Sequence, residues 1–285
     1  MPRIELFGIS IDSLRMGEAV ESLRQWTREP NDVCRYVVTP NVDHAVMFQE
    51  REDLRRAYAG AALVLADGWP IVTASRLLKR PLPERVAGSD LAPALFATVS
   101  QAAANDSQAV PRPLRVYLLG AAPGVAGRAA VRIEALWPGV EVVGTYSPPL
   151  GFERDDDENE KILSQIATAQ PDVLLLGLGA PKQELWVHRH QAAIRAKVAL
   201  CIGATIDFLA GEKRRAPVWI RTLRLEWLHR LLSEPKRLAR RYARDARIFP
   251  RLVWQEWTRK AESQDESGKR KAESGTSLGM RLLKE

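Results

Sequence analysis

At 285 residues, 46% hydrophobic and 27% charged, the chain has room for one large α/β domain or two small ones and the composition of a globular protein. A membrane-spanning helix and a secretory leader are not expected: "VALCIGATIDFLA" (198–210) carries Asp207, "DVLLLGLGAP" (172–181) is too short, and the N-terminus alternates charged and apolar residues. The net charge of +7 comes from one block, residues 212–260, with 15 Lys and Arg against 5 Asp and Glu, which points to a polyanionic partner: nucleic acid, a membrane surface or a phosphorylated substrate.

In chain order, strands are expected at 3–9, 34–40, 62–67, 114–120, 140–146, 172–178 and 198–204. Several are unbroken apolar runs, as strands covered on both faces should be. Helical patterns separate them, for example 13–26 behind Asp12 or Ser13 as cap, and 158–170 ended by Pro171. The alternation predicts an α/β fold, a Rossmann-like doubly wound, mostly parallel sheet. Cys34 and Cys201 lie in apolar runs and read as buried free thiols in a reducing, cytoplasmic compartment. Residues 1–211 are expected to form the catalytic core. Residues 212–260 form a basic helical appendage, with helices over 212–232 and 235–248. Residues 261–285, rich in Ser, Gly and charge, read as a disordered tail.

Ligands of such sheets sit beyond the carboxyl ends of the strands. Those ends carry "TPN" (39–41), "ADG" (66–68), "LGAAPG" (119–124), "LGAPKQE" (178–184) and "GATIDF" (203–208). Gly120, Gly124 and Gly127 in one loop, and Gly177 and Gly179 in another, let backbone amides approach an anion. A tight turn with nothing bound reads equally well for either loop alone. Asp67 ends an apolar run ahead of Gly68 and Pro70; alone, it suits a helix cap as readily as a catalytic base.

No metal site is expected. Asp155, Asp156 and Asp157 resemble an Asp-x-Asp pair but open a helix, where acids complement the dipole. His188 and His190 diverge on a helix, and His44 and His229 have no partner at ligand spacing. In the basic block, Arg237, Arg240, Arg241, Arg244, Arg247 and Arg251 form a cationic stripe, followed by Trp254 and Trp257. Aromatics next to such a stripe favour an anionic membrane interface over a merely solvated face.

Six motifs in order, "TPNVDH" (39–44), "ADGWPIV" (66–72), "RVAGSDL" (85–91), "GAPKQE" (179–184), "GATIDFLAGEKRRAPVW" (203–219) and "LEWLHRLLSEPKRLARRY" (225–242), resemble the WecG/TagA/CpsF glycosyltransferases, glycosyltransferase family 26. The resemblance implies transfer of a hexosyl unit, commonly N-acetylmannosamine or its uronic acid, from a UDP-sugar to a polyprenyl-diphosphate-linked N-acetylglucosamine. It further implies inversion to a β-1,4 link, no metal or other cofactor, and a site on the inner face of the plasma membrane. It makes Asp67 the base, places Thr39, Asn41, Arg85, Gln183 and Asp207 in the substrate pocket, and assigns the diphosphate to Arg230, Arg237 and Arg240. The helical spacing leaves Arg241, Arg244, Arg247, Arg251 and Trp254 for the membrane. UDP-glucose stands as the alternative donor, and a homo-oligomer is left open. A nucleic-acid-binding protein using residues 212–260 is the remote alternative, without interleaved stacking aromatics or helix-turn-helix spacing. A Rossmann-type oxidoreductase is another, and it predicts tight nicotinamide-nucleotide binding.

Overall fold

The computed structural model describes residues 2–30, 32–105, 112–213, 216–222 and 225–282, with the side chains at 105, 218, 221, 237 and 260–282 outside the description. The chain opens with β1 (Arg3–Leu6), β2 (Ile9–Asp12), α1 (Met16–Trp26), β3 (Arg35–Val38), α2 (Val42–Glu50), α3 (Glu52–Ala59), β4 (Leu63–Val64), α4 (Trp69–Leu77) and α5 (Gly88–Asn105). It continues with β5 (Leu114–Gly120), α6 (Val125–Leu136), β6 (Val140–Tyr146), α7 (Asp156–Ala169), β7 (Val173–Gly177), α8 (Lys182–His190), β8 (Val198–Cys201) and α9 (Thr205–Ala210). The basic segment folds as α10 (Val218–Thr222), α11 (Glu226–Ser233) and α12 (Pro235–Leu282).

Six strands form one all-parallel sheet in the order β4-β3-β8-β7-β5-β6. Alternate residues of each strand feed opposite cores. Tyr36, Val38, Leu174, Leu176, Ala199 and Cys201 pack on one face, and Val37, Val173, Leu175, Val198 and Leu200 on the other. Burial on both faces explains the unbroken apolar runs. Cys34 and Cys201 are buried and free.

Three expectations are corrected. The first predicted strand, 3–9, is not part of this sheet. It turns at Phe7 and Gly8, both at positive φ, and pairs β1 with β2 in a separate antiparallel hairpin. Asp12 does not cap α1. It ends β2, where its carboxylate accepts from Arg3 Nε at 2.9 Å and from the Val64 amide at 2.8 Å, tying the hairpin to β4. The helix expected to stop at 248 runs on through Pro250. A mid-helix proline costs about 3 kcal/mol. Here the partly buried Ile248, Phe249 and Val253 and the buried Leu252 flank it against the core and offset that cost. The backbone of α12 continues to Leu282, across the stretch where the sequence suggests disorder.

The α12 helix is held by more than its apolar face. Leu238 is fully buried, Phe249 meets Phe7 with ring centroids 5.2 Å apart, and Glu256 accepts from the Phe7 amide at 2.9 Å.

Glycines set the closeness of the central strand ends. Gly120 has φ +120°, and a Cβ there would lie 2.5 Å from the carbonyl of Gly177. Gly120→Ala therefore combines backbone strain with a backbone clash, and is expected to cost roughly 2–4 kcal/mol of stability, read from urea unfolding. An unchanged midpoint would show that β5 and β7 can part at this end.

Candidate active site

The ends of β4, β3, β8 and β7 are neighbours in the sheet, so their loops share one rim. Asp67 follows β4, and its amide donates to the Pro40 carbonyl at 2.8 Å, locking the two loops together. Gly68, at φ +118°, is the cap residue of α4 and gives that helix no side-chain cap. The Asp67 carboxylate thus serves no capping role and turns to Arg85.

Arg85 holds three acids from three parts of the chain. Its guanidinium lies 3.7 Å from Asp67, 2.8 Å from Asp90 at the start of α5, and 3.3 Å from Glu226 at the start of α11. Burial pushes the Asp67 carboxyl up to about 6; Arg85 and Arg230 oppose the push, and Glu226 and Asp90 add to it. The Asp67 side chain is still 28% exposed, so the carboxylate remains reachable from solvent. A carboxylate that protonates near 6 is a stronger base than an ordinary one and remains ionised at neutral pH.

Thr39, Asn41 and Gln183 line the same rim, each anchored to a neighbour. The Thr39 hydroxyl donates to the Cys201 carbonyl at 3.3 Å. Asn41 caps α2, its side-chain oxygen accepting from the His44 amide at 3.4 Å. Gln183 accepts from the Gly203 amide at 3.1 Å and donates to Glu184 at 2.8 Å. Asp207, on α9, sits 3.8 Å from Lys213, and that ammonium is also 3.1 Å from Glu234. Among the candidate loop glycines, Gly120 and Gly177 serve close packing: a Cβ on Gly177 would meet Ile206 at 2.7 Å. Gly124, at φ +81°, caps α6, and Gly179, at φ +79°, faces open space.

The appendage arginines divide by direction. Arg230 on α11 is close enough to act on the charge of Asp67. The side chain of Arg237 lies outside the described residues, and Arg240 is exposed. Arg241 and Arg244, expected at the membrane, turn inward to the buried Asp43 of α2: Arg241 lies 3.4 Å from it and Arg244 hydrogen-bonds it. Asp245 is buried beside them, its carboxyl raised by burial and by the charge of Asp43, with Arg244 and Arg241 opposing. Arg247 and Arg251 are exposed, and Trp254, 62% exposed, stacks near Trp257 at 5.3 Å.

Asp155 caps α7, accepting from the Glu158 amide at 3.1 Å, so the acidic run is a helix start. Among the described residues, no group of three or more His, Cys, Asp or Glu side chains is placed to hold a metal ion. Among the same residues, no helix is long and apolar enough to cross a membrane.

The family model described as "Glycosyl transferase WecG/TagA/CpsF family" matches residues 4–263. The chain belongs to this family. It is therefore a sugar-transferring enzyme. A relative from Staphylococcus aureus strain MRSA252 is 29% identical over 84% of this chain and 87% of that protein; it is named N-acetylglucosaminyldiphosphoundecaprenol N-acetyl-beta-D-mannosaminyltransferase. One of the same name from strain MW2 is 28% identical over the same shares.

Sequence reasoning misses Asp90, Glu226, His44 and Glu184. All four stand inside the quoted motifs, but Asp90 and Glu226 are given no role there. His44 has no partner at ligand spacing along the chain, and its partner in space, Glu184, is 140 residues away.

If Asp67 is the base, kcat/KM must fall on the acid side with an apparent pKa near 6. Arg85 favours the ionised form, so Arg85→Gln is expected to move that limb upward by about one unit. A limb unmoved in the variant would separate Arg85 from the titrating group.

Proposed function

We propose that this glycosyltransferase moves an N-acetylmannosaminyl unit from a UDP-sugar to a polyprenyl-diphosphate-linked N-acetylglucosamine, with inversion, as a step in assembling a cell-envelope polymer. The names of its relatives support the donor sugar and the acceptor. The observation that carries the chemistry is Asp67, raised to about 6 in a crevice bordered by Arg85 and Arg230.

In this mechanism the acceptor hydroxyl attacks the anomeric carbon from the face opposite the diphosphate. Asp67 takes the hydroxyl proton as the new bond forms, and UDP leaves with the electron pair of the broken bond. No covalent sugar–enzyme intermediate is needed, so one carboxylate suffices. The reading assigns the leaving diphosphate to arginines, Arg230 first, and then to Arg237 and Arg240. Thr39, Asn41, Gln183 and Asp207 position the sugars. The uronic acid of N-acetylmannosamine and glucose are the alternative donor sugars.

We place the enzyme at the inner face of the plasma membrane, docked through Arg247, Arg251 and Trp254. These three recur at spacings of four and three on α12 and are exposed. The inward turn of Arg241 and Arg244 weakens the nucleic-acid alternative, since those charges are already engaged by Asp43.

Asp67→Asn is expected to lower kcat by about 10²- to 10⁴-fold while UDP still binds. Asp67 is a group whose folded pKa, about 6, exceeds its ordinary 3.8, so its ionisation costs stability above that window. The variant should therefore melt at or above the wild-type temperature at pH 8, and full turnover in it would remove Asp67 from the base role. Activity should persist in excess chelator; a strict requirement for Mg²⁺ or Mn²⁺ would oppose the arginine assignment. At the membrane, Arg247→Ala with Arg251→Ala should weaken binding to anionic vesicles by about 30-fold, at roughly 1 kcal/mol for each charge. Undiminished binding would move the contact elsewhere.

A further inference from the structure

Glu184, in the first turn of α8, is 0% exposed, the most deeply buried carboxylate among the described residues. One of its oxygens, Oε1, takes two neighbours: His44 Nε2 at 3.2 Å and Gln183 Nε2 at 2.8 Å. A buried carboxylate persists only where it is paired. His44 is its counter-charge, and it is also buried.

The protonation of the ring is fixed by its other nitrogen. His44 Nδ1 lies 3.0 Å from Asn41 Oδ1, and the His44 amide donates to the same oxygen. The Asn41 backbone N–H donates toward Nδ1 at 3.4 Å, a longer contact than the one between Nδ1 and Oδ1 at 3.0 Å. Asn41 Oδ1 is the closer of the two neighbours of Nδ1, and the Glu184 carboxylate stands at Nε2, so an imidazolium donating from both nitrogens meets the shorter contacts, with the Asn41 N–H as the weaker, competing one. The Asn41 oxygen then takes both the His44 amide and the ring, and Nδ2 is the end of the side-chain amide left for a further partner.

We propose that Glu184 and His44 are a positioning pair that fixes Asn41 as a hydrogen-bond donor to the substrate and Gln183 against the β8 loop. The identity of that substrate rests on the transferase reading; the pair itself does not. Gln183 is held in the same way, its Nε2 on Glu184 and its oxygen on the Gly203 amide. Through Pro40, whose carbonyl holds the Asp67 amide, the Asn41 turn also sets the backbone of the base.

The groups facing His44 are Glu184 from α8, Asp43 on its own helix, Asp67 from the β4 loop and Tyr58 from α3, whose ring is 6.2 Å away. Burial alone would lower its pKa. The hydrogen bond and charge of Glu184, with Asp43 and Asp67, outweigh burial and hold it above the ordinary value.

The test is ¹H–¹⁵N NMR on the full chain labelled at its four histidines. Both His44 nitrogens are expected to stay protonated through a midpoint above about 6.5, the ordinary histidine value. In Glu184→Gln burial prevails, and the midpoint should fall by more than about one unit. A wild-type midpoint at or below the ordinary value overturns the proposal, as does an unmoved one in the variant. Should Glu184→Gln not fold, the wild-type titration decides alone. In the transfer assay, His44→Gln that melts within a few degrees of wild type should lose on the order of tenfold or more in kcat, since misaligned groups forfeit orientation. Full kcat in that folded variant would also overturn it. A wild-type chain that transfers no UDP-sugar would defeat the transferase reading and leave the titration result standing.

Discussion

The site depends on one guanidinium. Arg85 is 15% exposed and lies within 3.7 Å of carboxylates from the β4 loop, α5 and α11. Three acids gathered without it would repel one another, and the crevice would open or take up protons. With it, Asp90 and Glu226 are the closer partners, at 2.8 and 3.3 Å, and Asp67 is the loosest. That ordering leaves Asp67 partly uncompensated, so burial sets its basicity and Arg85 limits how far it rises. The same residue draws the appendage to the core, because Glu226 belongs to α11.

The basic segment therefore has two electrostatic tasks. Inward, Arg230 serves the site, and Arg241 and Arg244 neutralise Asp43, two residues along from the Asn41 cap. Outward, Arg247, Arg251 and the two tryptophans form a face turned away from the core. A count of charge treats these alike. Only the inward set faces carboxylates of the core, and the outward set is left to an anionic surface.

What was legible in the sequence tracks physical range. The parallel sheet showed through strands buried on both faces, such as "DVLLLGL", since that pattern is local. Asp155 showed as a helix start for the same reason. The β1–β2 hairpin did not show, because Phe7 and Gly8 interrupt an otherwise continuous apolar alternation without an Asn-Gly signal. The end of α12 was misjudged because packing on both sides of Pro250 outweighs its local cost. Asp67 as a cap or a base was undecided locally, and the cap geometry of Gly68 settled the first half of that choice. Glu184 and His44 were invisible as a pair, since nothing near either residue announces a partner so far along the chain.

The contact between Phe7 and α12 has a consequence in time. Glu256 and the Phe7 amide are 249 residues apart, and Phe249 covers the hairpin turn. On the ribosome the hairpin emerges well before its cover, so this part of the core stays open until α12 is made. Glu226 and Arg230 arrive in the same late stretch and complete the charge balance around Asp67. The chain thus gains its covering helix and the full charge set around Asp67 from the same segment, and a nascent chain still short of α11 has an Asp67 without its full set of neighbours.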